Sequence, residues 1–137
     1  MSMPPKQKAP DDPLEWLNRA RSNLARAKAD LRLPEVYLED LCFDAQQAAE
    51  KAIKAVLLNL RVPFPYIHDL TELLDLVQNA GKRIPKPVRE AGRLTRFAVV
   101  TRYPGIAEPV TREDYRRAVR TAERVFRWAE KLTAKKR

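Results

Sequence analysis

The segment from residue 36 to residue 60 constrains the fold most, because its apolar side chains recur at steps of three and four over many turns. This spacing places them on one face of an α-helix that starts near Pro34 or Val36 and ends at Leu60. At 1.5 Å per residue such a helix is roughly 35 Å long, enough to form the spine of a small bundle. The predicted inward residues are Leu38, Leu41, Cys42, Ala45, Ala49, Ala52, Ile53, Val56, Leu57 and Leu60.

Prolines, rather than glycine-rich turns, divide the rest of the chain. The sequence has 11 prolines and 3 glycines, which favours helices joined by stiff connections over a sheet with tight hairpins. Asp12 before Pro13, with Glu15 following, predicts a capping box at the start of a first helix. That helix should run to Leu33-Pro34. Its predicted apolar stripe is Leu14, Leu17, Ala20, Leu24, Ala27 and Leu31.

A third and a fourth helix follow the central one. Asp69 and Glu72 predict a second capping box, and Gly81 is the natural end of the helix that they open. A fourth helix begins at Pro85 or Pro87, since proline is favoured in the first helical turn. Its predicted inward residues are Val88, Ala91, Leu94 and Ala98.

A fifth helix completes the chain and sets the fold class. Thr111 and Asp114 have the spacing of a third capping box, with a periodic apolar pattern after them. Five helices joined by short loops predict an all-α antiparallel bundle. We expect this single domain over residues 11–133, a disordered tail over residues 1–10 and a basic tail over residues 134–137.

The single cysteine and the lack of long apolar runs predict a cytoplasmic protein. Cys42 has no cysteine to pair with in this sequence, and its apolar neighbours favour a buried thiol in a reducing compartment. No apolar run approaches the ~20 residues that a membrane span needs. The N-terminal residues also lack the apolar core of a signal peptide.

Positive charge is concentrated in the C-terminal part of the chain. Residues 1–80 carry 10 Lys/Arg and 12 Asp/Glu, a net charge of −2, whereas residues 81–137 carry 17 and 6, a net charge of +11. This asymmetry predicts an anionic partner, which could be RNA, a nucleotide or an acidic protein surface.

Arginines on the last two helices recur at helical spacing, so they form stripes that predict a phosphate-binding surface. The stripes are Arg89, Arg93 and Arg96 on the fourth helix and Arg112, Arg116, Arg120, Arg124, Arg127 and Lys131 on the fifth. Our candidate binding residues are Arg93, Arg96, Arg112 and Arg116. The alternative is a solvated, arginine-rich surface that supports solubility and is partly balanced by Glu90, Glu113 and Glu123.

Three sequence landmarks, taken in order, resemble the HEPN family of small helical proteins. They are the segment from Cys42 to Lys54 (CFDAQQAAEKAIK), His68-Asp69-Leu70 and Arg102-Tyr103-Pro104. The resemblance covers the chain from about Leu14 to Leu132 and implies a homodimeric helical bundle. It is best with the branch that carries the arginine-tyrosine-proline sequence and is often encoded beside a minimal nucleotidyltransferase.

The resemblance implies a protein that binds a nucleotide or RNA and works with that nucleotidyltransferase in a two-component system, toxin–antitoxin systems included. Arg102 would then hold a phosphate while Tyr103 stacks on a base. Packing is the alternative role for this pair, with Tyr103 filling the end of the bundle and Arg102 capping helix carbonyls. The resemblance implies no metal or other cofactor.

A metal-independent ribonuclease is the second hypothesis. Active family members carry, on a late helix, an arginine followed after four to six residues by a histidine. Arg102 matches that arginine, but no histidine follows it at this distance, so Glu108 is one candidate base. His68, the only histidine, is the other, because its unperturbed pKa suits proton transfer near neutral pH. A structural role beside the Asp69 cap is its alternative.

The third hypothesis is a non-catalytic adaptor that docks an acidic protein through its basic C-terminal helices. Gln46 and Glu50, within the family-like segment, could equally order the bundle through side-chain hydrogen bonds. The sequence contains no Walker-type loop, paired-cysteine motif or glycine-rich nucleotide fingerprint, so we expect neither a metal site nor a cofactor.

Overall fold

The computed structural model describes residue 3 and residues 5–29, 35–98 and 109–134. These residues form α1 (Pro13–Ala27), α2 (Leu38–Asn59), α3 (Leu70–Asn79), α4 (Lys86–Arg89), a 3₁₀ segment (Glu90–Ala98) and α5 (Arg112–Ala134). The predicted all-α bundle is confirmed. Within the described ranges, no helix combines the length and the apolar character that crossing a membrane requires.

The central helix α2 is the spine of the bundle, as its periodicity predicts. It packs against α1, α5, the 3₁₀ segment and α3. Three alanines on its buried faces, Ala45, Ala49 and Ala52, are fully buried and let neighbouring helices approach closely. Of the ten predicted inward residues, only Leu38 and Leu60 at the two ends are partly exposed, and both still pack against the core.

The first helix is shorter than the sequence predicts. α1 ends at Ala27, where the Lys28 amide donates to the carbonyls of Leu24 and Ala25 and tightens the last turn. The Tyr115 hydroxyl donates to the Ala27 carbonyl, which the end of a helix would otherwise leave without a partner. The predicted extension to Leu33-Pro34 is therefore wrong for residues 28 and 29, and residues 30–34, Leu31 included, lie outside the described ranges.

The start of α1 also differs from the prediction. The Asp12 carboxylate caps the helix by accepting from the Leu14 amide. The capping box is incomplete, because Glu15 accepts instead from the Lys8 amide and from Arg19. Leu14 is 43% exposed, so its predicted place on the apolar stripe is wrong, and Trp16 packs against the core nearby.

The other two predicted capping boxes have the expected cap residues, but among the described hydrogen bonds only the one at α5 is reciprocal. The Asp69 carboxylate accepts from the amides of Thr71 and Glu72 at the start of α3. At the start of α5 the bonds are reciprocal: the Asp114 amide donates to the Thr111 hydroxyl, and the Thr111 amide donates to the Asp114 carboxylate. Both helices therefore begin where the sequence places their caps.

Helices α2 and α3 end in the same motif with different residues. After α3, Gly81 has a φ of 98°, its amide donates to Gln78, and the Lys82 amide reaches back to Val77. After α2, Arg61 takes the equivalent position with a φ of 60°. This is the Schellman arrangement, in which the left-handed residue favours glycine, so Arg61 holds a strained position.

The predicted fourth helix is α-helical for only one turn. It begins at Lys86, in agreement with the proline signal, but continues beyond Arg89 as the 3₁₀ segment. Two contacts with the start of α3 hold this segment. Gly92 lies against Thr71, and the Leu70 amide donates to the Thr95 hydroxyl over 3.0 Å. The predicted inward residues Val88, Ala91, Leu94 and Ala98 are all buried.

Candidate nucleic-acid interface

A groove runs between the 3₁₀ segment and α5 and continues toward α4. Its more enclosed part has a volume of about 440 Å³, and the more open part has a volume of about 510 Å³. The two parts form one continuous groove, because Glu90, Arg93, Arg117 and Thr121 line both of them. Apolar side chains, among them Phe97, supply part of its wall.

Cationic side chains dominate the polar lining of this groove. They are Lys86, Arg93, Arg96, Arg117, Arg120 and Arg124. Arg93 lies 3.2 Å from the Glu90 carboxylate, and Arg117 lies 3.6 Å from Glu113. Neither Arg120 nor Arg124 forms an ion pair with any described residue.

The carboxylates in the second half of α5 pair with α1. Glu123 pairs with Lys28, and Glu130 lies 2.9 Å from Arg21. Glu123 therefore neutralises the cation that directly follows α1, although it could have balanced the arginine stripe. This arrangement leaves the groove face of α5 with an excess of positive charge, the electrostatic property expected of a phosphate-binding surface.

Hydrogen bonds fix the end of the groove near the start of α5. The Asp114 carboxylate accepts from the Thr111 amide, and this bond lowers the pKa of the Asp114 carboxyl. The charges of Arg96 and Arg117 lower this pKa further. Arg96 also lies over the Phe97 ring, with the guanidinium carbon 4.4 Å from the ring centroid. Asp114 is thus ionised at neutral pH, and Arg117 lies 4.0 Å from its carboxylate.

The groove contains part of the predicted binding set. Arg93 and Arg96 line it, whereas the exposed residues Arg112 and Arg116 of α5 are not among its lining residues. Arg117, which the sequence analysis did not select, lines both parts. Helical spacing alone does not distinguish it from Arg116, since Arg116 and Arg117 lie four and three residues before Arg120 and both share its face.

His68 lies in a second cluster, which shares no lining residue with the groove. Its Nδ1 atom is 3.0 and 3.1 Å from the two oxygens of the Glu50 carboxylate. Glu50 is only 4% exposed and also accepts from Lys54 over 2.7 Å and from Gln46 over 2.8 Å. Burial alone would raise the pKa of Glu50, but the hydrogen bonds from Lys54 and Gln46, the charge of Lys54 and the contact with His68 together outweigh burial and lower it. The carboxylate that holds His68 is therefore ionised at neutral pH.

Three aromatic rings surround the buried Lys54 ammonium. Its Nζ atom lies 5.9 Å from the ring centroid of Trp16 and 5.6 Å from those of Phe64 and Tyr66. Such contacts stabilise a cation that has lost its water. The side-chain hydrogen bonds expected of Gln46 and Glu50 are present, but the burial of Lys54 at 3% exposure was not predicted.

The late landmark lies outside the described residues. Arg102, Tyr103 and Glu108 fall within residues 99–108, so their predicted roles in phosphate binding, base stacking and proton transfer stay predictions.

Comparison with known proteins identifies the family. The model of the HEPN domain family matches residues 14–132. The chain therefore belongs to the HEPN family. A search of the curated proteins gave no match.

Three solved structures share the fold. An archaeal HEPN homologue, ST0689, is 24% identical with a TM-score of 0.72, and the match covers 89% of this chain and 98% of that one. TT1696 from Thermus thermophilus is 31% identical with a TM-score of 0.71, covering 88% and 97%. An HEPN domain protein from Thermotoga maritima, TM0613, is 25% identical with a TM-score of 0.67, covering 88% and 98%. The bundle is thus similar to these three proteins along nearly its whole length.

Proposed function

We propose that this HEPN protein binds RNA or a nucleotide through the groove between the 3₁₀ segment and α5. In this proposal the protein is a homodimer and acts with a minimal nucleotidyltransferase in a two-component system of the toxin–antitoxin kind. The observation that carries the binding role is the excess of positive charge among the described lining residues of the groove, which include six cations and the two carboxylates of Glu90 and Asp114. Among the described residues neither Arg120 nor Arg124 forms an ion pair, while Glu123 and Glu130 pair with Lys28 and Arg21. Cations arranged in this way release counterions from a phosphate backbone when they bind it.

The continuity of the groove favours RNA over a single nucleotide. Its lining cations extend from Lys86 and Arg93 on one side to Arg117 and Arg124 on the other. Cations four residues apart on α5 lie about 6 Å apart along the helix axis, so they can contact successive phosphates rather than one. We therefore expect the affinity to rise with the length of the oligonucleotide.

Binding of single-stranded RNA at several salt concentrations tests the proposal. The logarithm of the affinity should fall linearly with the logarithm of the salt concentration, and Arg120→Ala/Arg124→Ala should reduce the slope by about 1.4, or roughly 0.7 for each phosphate that the variant no longer binds. Arg26→Ala is a matched control, because Arg26 is exposed on α1 and pairs with Asp44 outside the groove. An affinity that does not depend on salt, or equal slopes in wild type and the double variant, would refute binding in the groove.

The nucleotidyltransferase partnership rests on membership of the HEPN family and on the resemblance of the Arg102-Tyr103-Pro104 sequence to one branch of it. If a short nucleotidyltransferase is encoded beside this protein, the two proteins expressed together should elute as one complex from a sizing column. Separate elution at micromolar concentrations would contradict the partnership. The mass of the HEPN protein alone, measured by light scattering, tests the homodimer.

A further inference from the structure

The loop between α2 and α3 presents an aromatic side chain and an oriented imidazole side by side. Tyr66 is 89% exposed, and its ring centroid lies 5.6 Å from that of His68, with the two rings inclined at 67°. What distinguishes Tyr66 from other exposed rings is its neighbour, because a flat ring surface and a hydrogen-bonding imidazole stand side by side. The flanking Pro63 and Pro65 restrict the backbone of the loop.

One side of the Tyr66 ring lies near the buried Glu50–Lys54 pair. The Lys54 ammonium lies 5.6 Å from the ring centroid, and Lys54 itself is held by the buried Glu50 carboxylate. This contact favours a ring position close to the bundle. Because Tyr66 is 89% exposed, most of its ring surface is open to solvent and is available for a flat partner to stack on.

The same buried carboxylate sets the hydrogen-bonding state of His68. An ionised carboxylate can only accept hydrogen bonds, so the Nδ1 atom that contacts Glu50 must carry the proton. In the neutral imidazole the Nε2 atom is then an acceptor. The His68 side chain is 47% exposed, which leaves it accessible to a ligand.

We propose that Tyr66 and His68 form a binding site for a nucleobase, separate from the cationic groove. The base would stack on the open face of Tyr66, and one of its N–H groups would donate to His68 Nε2, with Glu50 and Lys54 positioning the two side chains. The identity of the ligand class rests on the proposed function in RNA or nucleotide binding. The site itself rests on the contacts of Tyr66, His68, Glu50 and Lys54.

Adenosine is the probe that tests this site, because it has a base but no phosphate and so does not depend on the cationic groove. In NMR titrations with millimolar adenosine, the Tyr66 ring protons and the His68 Hε1 proton should shift and saturate together. Tyr66→Ala should weaken binding by roughly tenfold, the loss typical of one stacked base. Tyr37→Ala is the matched control, since Tyr37 is 76% exposed at the start of α2. Unchanged Tyr66 and His68 signals, or equal shifts at Tyr37, would overturn the proposal.

A second spectrum tests the role of His68. Long-range ¹H–¹⁵N correlations should show the Nδ1-protonated tautomer of His68 in the free protein at neutral pH. Protonation at Nε2 instead would overturn its assignment as an acceptor. Binding of inorganic polyphosphate, which has phosphates and no bases, reports on the groove alone. If adenosine does not bind while polyphosphate still binds in a salt-dependent way, only the proposed nucleobase site is wrong. If adenosine binds and polyphosphate does not, the proposed phosphate-binding role of the groove is wrong.

Discussion

The Lys54 ammonium lies 2.7 Å from the Glu50 carboxylate one helical turn away, and both side chains are almost completely buried. Removing one member of such a pair leaves an uncompensated charge in the core. We expect Lys54→Met to destabilise the protein by about 3–5 kcal/mol and Glu50→Gln/Lys54→Met to destabilise it by less than the sum of the single changes. Urea unfolding of the three variants measures this coupling.

The exposed pair Glu113–Arg117 has the same spacing on α5 and serves as the control for that cycle. Its coupling should be below about 1 kcal/mol, because water screens exposed charges. Equal coupling energies for the two pairs would show that burial adds nothing to the Glu50–Lys54 interaction.

The lowered pKa of Glu50 predicts a loss of stability in acid. An unfolded chain binds a proton at this carboxyl near pH 4.5, whereas the folded protein does so only at lower pH. The stabilisation from Glu50 is therefore complete above this pH and is lost as the pH falls through the folded-state pKa. Other carboxyls with lowered pKa values, such as Glu15 and Asp114, add to the same loss.

Comparing wild type with Glu50→Gln isolates the contribution of Glu50. The glutamine variant should be less stable at neutral pH, and the difference between the two proteins should shrink as the pH falls below about 4.5. Unfolding free energies measured from pH 3 to pH 7 give this difference. A difference that stays constant over the range would contradict an ionised Glu50 in the folded protein.

The close approach of Gly92 to Thr71 predicts that even a methyl group is too large at position 92. An added Cβ would collide with the Thr71 hydroxyl oxygen, while the Thr71 Cβ would be 3.7 Å away, an ordinary contact distance. We expect Gly92→Ala to cost about 1–3 kcal/mol. Thr71→Ala alone should be nearly neutral, and it should restore most of the loss when combined with Gly92→Ala. Thermal unfolding of wild type, the two single variants and the double variant tests this. A double variant as unstable as Gly92→Ala would show that the Thr71 hydroxyl is not the cause of the destabilisation.

Arg61 and Gly81 occupy the same place after α2 and α3, so substitutions there should act in opposite directions. Arg61→Gly should stabilise the protein by about 0.5–1 kcal/mol, because relief of the left-handed strain exceeds the entropy that glycine adds to the unfolded chain. Gly81→Ala should destabilise it by about 1 kcal/mol through strain alone, since no atom lies within 4 Å of the added Cβ. Urea unfolding checks both predictions: at an unchanged m-value, the midpoint should rise for Arg61→Gly and fall for Gly81→Ala.

The features that the sequence predicted correctly are those that depend on residues close together in the chain. The buried faces of α2 and α5 follow from apolar spacing, and the caps at Asp69 and Thr111 follow from local hydrogen bonding. The burial of Lys54 could not be predicted in this way, because Trp16 on α1 and Phe64 in the next loop are both needed to enclose it.

The same distinction applies to the groove. Arg93 and Arg96 were predicted from their spacing, but the choice of Arg117 over Arg116 depends on how α5 is rotated against the 3₁₀ segment. That segment departs from an α-helix because of its contacts with α3, which no pattern within residues 85–98 reveals. The relative positions of segments that are distant in the chain, here α3, the 3₁₀ segment and α5, therefore could not be predicted from local sequence patterns.

The hydrogen bond from Tyr115 to Ala27 joins the first helix to the last across 88 positions of the chain. Since α2 packs against both of these helices, its buried surface cannot be fully covered until the ribosome has released α5. During synthesis, therefore, the part of α2 that packs against α5 stays open longest, and this is the surface that a chaperone would have to protect.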